Sequence, residues 1–212
     1  MTTDLFDAIR SGDIGRVSAL VADQPALARE RNQNGVSAIM QARYQGQTKV
    51  IEVLRPLAGD LDIFEAAALG DSARLKQLLT DNPTLVGSYS SDGFTPLHLA
   101  SYFSQPEAIA ELLRHGADPD AVATNGTKLA VINSAAASGD IEVVKLILAA
   151  GANPNAQQEG GYTALHAAAM RRNHEMIRAL LDAGADPSTA SNEGKTAAEY
   201  AGKEVASLLT RS

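Results

Sequence analysis

Apolar residues in this chain recur as short helical stripes, two at a time, and the clearest pairs are closed by a glycine turn. The clearest pair runs from Thr95 to Ala121. Leu97, Ala100 and Ser101 share one narrow face of a first helix, and Ile109, Leu112 and Leu113 form the stripe of a second. Thr95 is a good N-cap, Pro96 has its φ already set for the first helical position, and Pro106 falls in the first turn of the second helix. Gly116 can take the left-handed conformation that ends a helix, and Asp118-Pro119-Asp120 then turns the chain. Two antiparallel helices this short cannot bury their apolar faces alone. The pattern therefore predicts copies that complete the core by stacking.

The copies are present. Thr163-Ala164-Leu165-His166-Ala167-Ala168 repeats the opening, and Leu180-Leu181 with Gly184-Ala185-Asp186-Pro187 repeats the close. Ile147-Leu148 and Gly151-Ala152-Asn153-Pro154-Asn155 give the close once more. The closing glycines Gly116, Gly151 and Gly184 lie 35 and 33 residues apart. With Thr95-Pro96-Leu97-His98-Leu99-Ala100 at the head of a repeat of about 33 residues, the chain resembles the ankyrin-repeat family. The resemblance implies an all-α ankyrin-repeat solenoid of stacked helix–turn–helix units carrying short β-hairpin-like fingers. One domain, 1–212, is expected, with seven units at about 4–30, 34–59, 60–86, 92–120, 124–155, 159–188 and 192–210.

The outer units read as caps. The first carries Asp4, Asp7, Arg10 and Arg16 on its outer face, and the truncated last carries Lys195, Glu199, Lys203 and Glu204. In the second unit Met40 stands where the family has histidine. The third unit is short: Gly46 and Gly70 are 24 residues apart, against 34 for Gly12 and Gly46. The missing residues are those of a finger, while Ala66, Ala67, Leu75, Leu78 and Leu79 keep the helix pair. In the fifth, Ala130-Val131-Ile132-Asn133 replaces the usual opening, with extra residues near Asn125-Gly126-Thr127-Lys128.

Composition narrows the chemistry. The absence of cysteine excludes disulfides, thiolate catalysis and cysteine-ligated zinc, and suits a reducing cytoplasm. The N-terminal stretch has neither the basic flank nor the apolar core of a signal peptide, and no apolar run approaches a membrane span of about 20 residues. A net charge of −7 argues against non-specific nucleic-acid binding. Residues 1–58 are almost balanced, with seven Lys/Arg and six Asp/Glu, so the rest of the chain holds −8.

No residue set looks catalytic, metal-binding or cofactor-binding. His98 and His166 occupy matched positions, where the resemblance implies a bridge from the unit's own threonine to the backbone of the adjacent turn. His115 and His174 lack the spacing of a zinc site. Gly194-Lys195-Thr196 imitates the end of a phosphate-binding loop, but Thr189 stands where its first glycine is needed. Asp60, Asp62 and Glu65 precede or begin a helix, where acids serve the cap and the dipole.

The aromatics stand out. Tyr89 and Phe94 fall on the fourth unit's hairpin, and Tyr102-Phe103 end its first helix. Tyr162 matches Phe94 in the sixth unit, Met170 and Arg171 match Tyr102 and Phe103, and Tyr44 matches Tyr102 in the second. The resemblance implies that these positions face the concave groove, and aromatic residues and arginine are the usual interface hot spots. Phe94 and Tyr162 have two open readings, a binding role or simple cover for the neighbouring turn. The expectation is a monomeric, non-enzymatic protein that binds an unidentified partner protein on its concave face. The alternative is an inhibitor or regulatory subunit of one enzyme, bound through the acidic surface and sensitive to salt.

Overall fold

The computed structural model describes residues 2–201 and Leu209; Lys203 and Glu204 of the expected C-terminal cap lie outside them. Helices α1 (Thr2–Ser11), α3 (Ala38–Tyr44), α5 (Ile63–Leu69), α7 (Pro96–Tyr102), α9 (Val131–Ser138), α11 (Ala164–Met170) and α13 (Ala197–Tyr200) form one layer. Helices α2 (Ile14–Asp23), α4 (Thr48–Leu54), α6 (Ser72–Asp81), α8 (Pro106–Arg114), α10 (Ile141–Ala149) and α12 (His174–Asp182) form the second. Each helix of the first layer packs on the next of that layer and, through α12, on the second-layer helix that follows it. No β-strand occurs among the described residues, but single antiparallel bridges close three fingers, Arg31 to Ser37, Val122 to Ala130 and Ala190 to Thr196.

Helices of seven residues are marginal in water, so capping and burial must hold them. Ser37, Asp62 and Thr95 each accept a backbone N–H in the first turn of α3, α5 and α7. Leu97, Ile109, Leu112, Ile132 and Ile147 are buried completely or nearly so, and alanines fill the interlayer space where two backbones approach closely.

Matched histidines join successive units. His98 Nδ1 accepts from the Thr95 amide at 3.3 Å and lies 2.7 Å from Thr95 Oγ1, while Nε2 lies 2.9 Å from the Leu129 carbonyl of the next unit. A carbonyl only accepts, so Nε2 carries the proton. His166 repeats the bridge to the Lys195 carbonyl at 3.2 Å. Asn133 imitates it with an amide, accepting from the Ala130 N–H at 3.2 Å and donating to the Ala156 carbonyl at 3.3 Å. Fingers of the later units are also joined through the backbone, as in Thr124 N–H to the Gly93 carbonyl at 2.9 Å and Asn192 N–H to the Gly160 carbonyl at 2.8 Å.

The third unit departs from this scheme. The chain passes from α4 into α5 without a finger, and fingers two and four meet over the gap. A methyl added at Gly35 would stand 2.9 Å from Ser91 Cβ. The carbonyl of Leu61, which precedes the α5 cap as Leu129 precedes that of α9, accepts instead from Arg74 Nε of its own unit at 3.0 Å. Met40 therefore stands in a position that has no bridge to make. In the second layer α4 and α6 share no extensive packing, and an ion pair between Arg55 and Asp71 at 3.6 Å spans the junction.

The buried apolar residues divide accordingly. Leu5, Ile9, Val17, Val21, Val50 and Leu54 belong to an N-terminal cluster, and those from Leu61 onward to a second and larger one. Helix α3 is the wall between them, giving Ala38 and Ala42 to the first and Ile39 and Met40 to the second. A half-exposed ion pair contributes at most about 1 kcal/mol, so it does not replace an apolar interface. Native-state hydrogen exchange should then show amides of α1, α2 and α4 opening at lower free energy than those of α7 to α10. Equal protection along the chain would refute this.

Candidate functional site

Seven-residue first-layer helices end close to the surface, so the side chains of their last turns leave the core. At this register stand Tyr44, Leu69, Tyr102, Ala137 and Met170, one from each of five successive units. Tyr102 is 47% exposed and Met170 50%, whereas Tyr44 is half-buried.

Four of the expected residues come together. The ring of Phe103 lies 5.1 Å from that of Tyr102, edge to face, and 5.7 Å from that of Tyr44. The Arg43 guanidinium stands 4.6 Å from the Phe103 ring centroid while donating to the carbonyls of Ala68 at 3.0 Å and Phe103 at 3.2 Å. Phe103 is thereby a support that holds its neighbours, and Tyr102 is the side chain left open to solvent. Edge-to-face pairs of this kind add about 0.5–1.5 kcal/mol beyond burial, which favours this orientation of the exposed ring. Beside it, Tyr44, Phe94, His98, Leu99, Tyr102, Leu129 and Ser134 line a mostly apolar cleft of about 280 Å³.

Tyr44 also closes a second cleft, of about 200 Å³, in the place of the missing finger. Its walls include Arg31, Val36, Met40, Asp62, Phe64, Asp92 and Leu99. The Tyr44 hydroxyl donates to Asp92 at 2.5 Å, and Ser90 Oγ donates to the other oxygen of that carboxylate at 2.5 Å. Burial first, and then the Asp92 carboxylate, hold the Tyr44 hydroxyl well above the ordinary tyrosine range, so it stays a donor.

The remaining expected residues lie elsewhere. Tyr89 is exposed, and its hydroxyl donates to the Val122 carbonyl at 3.1 Å, tying finger four to finger five. Tyr162 packs edge to face on His166 at 5.6 Å and lies 5.7 Å from Tyr200. Its hydroxyl donates to Glu193 at 3.2 Å, and its pKa is pushed up to about 12, chiefly by the hydrogen bond with Tyr200. Phe94 likewise lies 6.0 Å from His98. Covering the matched histidine is thus a role that Phe94 and Tyr162 share. Arg171 is exposed but donates to the Ala137 carbonyl at 2.6 Å, capping the end of α9.

Leu129 and Asp92 line these clefts as well and were not singled out from sequence. Asp92 becomes relevant only because fingers two and four meet. Among the described residues no group of three His, Asp or Glu side chains could hold a metal ion, and no helix is long and apolar enough to cross a membrane.

Comparison with known proteins agrees with this architecture. The family profile for ankyrin repeats, in three copies, matches residues 63–158 and 132–211. The chain is 31% identical over 120 residues to a probable E3 ubiquitin-protein ligase of Oryza sativa subsp. japonica, covering 52% of this chain and 27% of that protein. It is 40% identical over 78 residues to the B-cell lymphoma 3 protein homolog of Mus musculus, covering 37% and 17%. A putative ankyrin repeat protein of fowlpox virus is 25% identical over 174 residues, covering 78% and 39%. The chain therefore spans well under half the length of each of these relatives.

Proposed function

Because the chain belongs to the ankyrin-repeat family, whose repeats are protein–protein interaction modules, we propose that it binds a partner protein on its concave face without catalysing a reaction. Tyr102 is the anchor, Tyr44 and Phe94 shape the cleft beside it, and Phe103 supports both tyrosines. Met170 and Arg171 extend the surface toward the sixth unit. The observation that carries this reading is an exposed tyrosine held by ring contacts at the mouth of an apolar cleft of about 280 Å³. Rigid aromatic side chains lose little entropy on binding, and such residues dominate interface energetics.

Tyr102→Ala is the discriminating change, since Phe103 also supports Tyr44 and Arg43. Affinity capture from native lysate with both forms of the chain should yield a protein retained by wild type and lost by the variant. Affinity for that protein should fall at least about 30-fold, as for a hot spot of 2 kcal/mol or more. The variant should remain folded, losing no more than about 1.5 kcal/mol of stability with the ring pair. Equal retention by both forms would remove Tyr102 from the site.

A further inference from the structure

The two clefts that share Tyr44 differ in chemistry. The one beside Tyr102 is walled by Phe94, Leu99 and Leu129, whereas the one in the finger gap holds Arg31, Asp62 and Asp92. Arg31 Nη2 meets Asp62 at 2.6 Å, so those two charges offset each other. Asp92 is half-buried and receives only neutral donors, the hydroxyls of Tyr44 and Ser90. Among the described residues no lysine, arginine or histidine forms an ion pair with it. The finger gap thus presents one carboxylate in excess. Tyr44 and Leu99 line both the gap and the apolar cleft, so the two lie within the reach of two nearby side chains of one extended segment.

We propose that the partner presents an extended segment in which a lysine or arginine lies one or two positions from a large apolar residue. The apolar side chain enters the cleft between Phe94, Tyr102 and Leu129, and the cation pairs with Asp92. A partly desolvated carboxylate gains more from a cation than one in open water, and its two neutral donors fix it toward a single direction. An acidic segment would meet repulsion at Asp92, so the same group selects against the wrong charge. This inference rests on the reading of the Tyr102 cleft as the partner's site and adds the partner's chemistry.

Display of random twelve-residue peptides against the full immobilised chain tests it. Enriched sequences should carry Lys or Arg within two positions of Leu, Ile, Met or Phe. A synthetic peptide of the best sequence should bind at least tenfold more weakly to Asp92→Asn and to Tyr102→Ala than to wild type. Replacing its basic residue with norleucine should weaken binding to wild type by the same factor and have no further effect on Asp92→Asn. This ligand-side change keeps the test independent of any folding defect in the variant. Peptides that lose affinity on Tyr102→Ala but carry no basic residue, or bind Asp92→Asn as well as wild type, would overturn the inference and leave the Tyr102 site standing. Peptides indifferent to both substitutions would overturn both. If wild type enriches no sequence, the inference also fails, because pre-formed clefts should select short segments; the lysate capture then judges the wider reading separately.

Discussion

Gly93→Ala should destabilise the chain by about 3 kcal/mol, while Gly116→Ala should cost only about 1 kcal/mol. Both glycines hold a left-handed backbone, with φ of +84° and +83°. An alanine therefore carries the same intrinsic penalty at either site. The difference lies in what the new methyl meets. At Gly116 nothing stands within 4 Å, but at Gly93 the methyl would lie 2.8 Å from the Asn125 backbone nitrogen and 2.9 Å from its Cβ. Backbone cannot rotate away as a side-chain tip can. Fingers four and five would have to part, which strains the Thr124 N–H to Gly93 carbonyl bond at 2.9 Å and the Asn125 Nδ2 to Asp92 carbonyl bond at 2.9 Å. Urea unfolding of the two variants beside wild type measures the contrast. Equal losses would mean that the fingers separate freely and add nothing to the stack.

His98→Ala should cost about 3 kcal/mol at pH 7.5, and His98→Asn about 1 kcal/mol. Truncation to alanine leaves a cavity where a buried imidazole stood, strips the Thr95 amide of its partner and leaves the Leu129 carbonyl with the Ala123 N–H alone, at 2.8 Å. Asparagine keeps both contacts in kind, as Asn133 shows at the equivalent position of the fifth unit. The pH dependence separates the two roles of the ring. Burial holds the His98 pKa below the ordinary value of 6.5, against an opposing pull from the Leu129 carbonyl. The unfolded chain therefore takes up the proton first. The contribution of neutral His98 is complete above about pH 6.5 and declines as pH falls through that value toward the lower folded pKa. Wild type should lose stability between pH 7.5 and 5.5, and His98→Asn should lose less over the same interval. Parallel pH profiles would show that the ring is not the titrating group.

The helix pairs were legible in the sequence because their signals are local. Thr95 and Pro96 mark a start, Gly116 an end, and the short spacing from Gly46 to Gly70 a finger that is not made. Arrangements that join distant units were not legible in that way. Nothing near Tyr44 in sequence announces a bond to Asp92, 48 residues away. That contact exists only because one finger is absent and the flanking two close over the space. The same limit applies to Arg43, which looks like an ordinary polar residue at a helix end but packs on Phe103 and binds two carbonyls. For the candidate site, register separated Tyr102, Phe103 and Met170 from the core, but it could not tell an open ring from a supporting one. That distinction depends on what Arg43 and Tyr44 place against Phe103.

The meeting of fingers two and four changes the arithmetic of the array. In a linear stack each unit answers only to the two beside it, and total stability is a sum of unit and neighbour terms. Here Gly35 touches Ser91, Tyr44 reaches Asp92, and Arg43 binds the Phe103 carbonyl, so the second and fourth units interact across the third. The fourth unit thus has three partners, and the sum acquires a term that skips a place. Substitutions at Tyr44 and Asp92 will not combine as independent effects, although they lie two repeats apart. Losing a finger has shortened the path along which those two repeats influence each other.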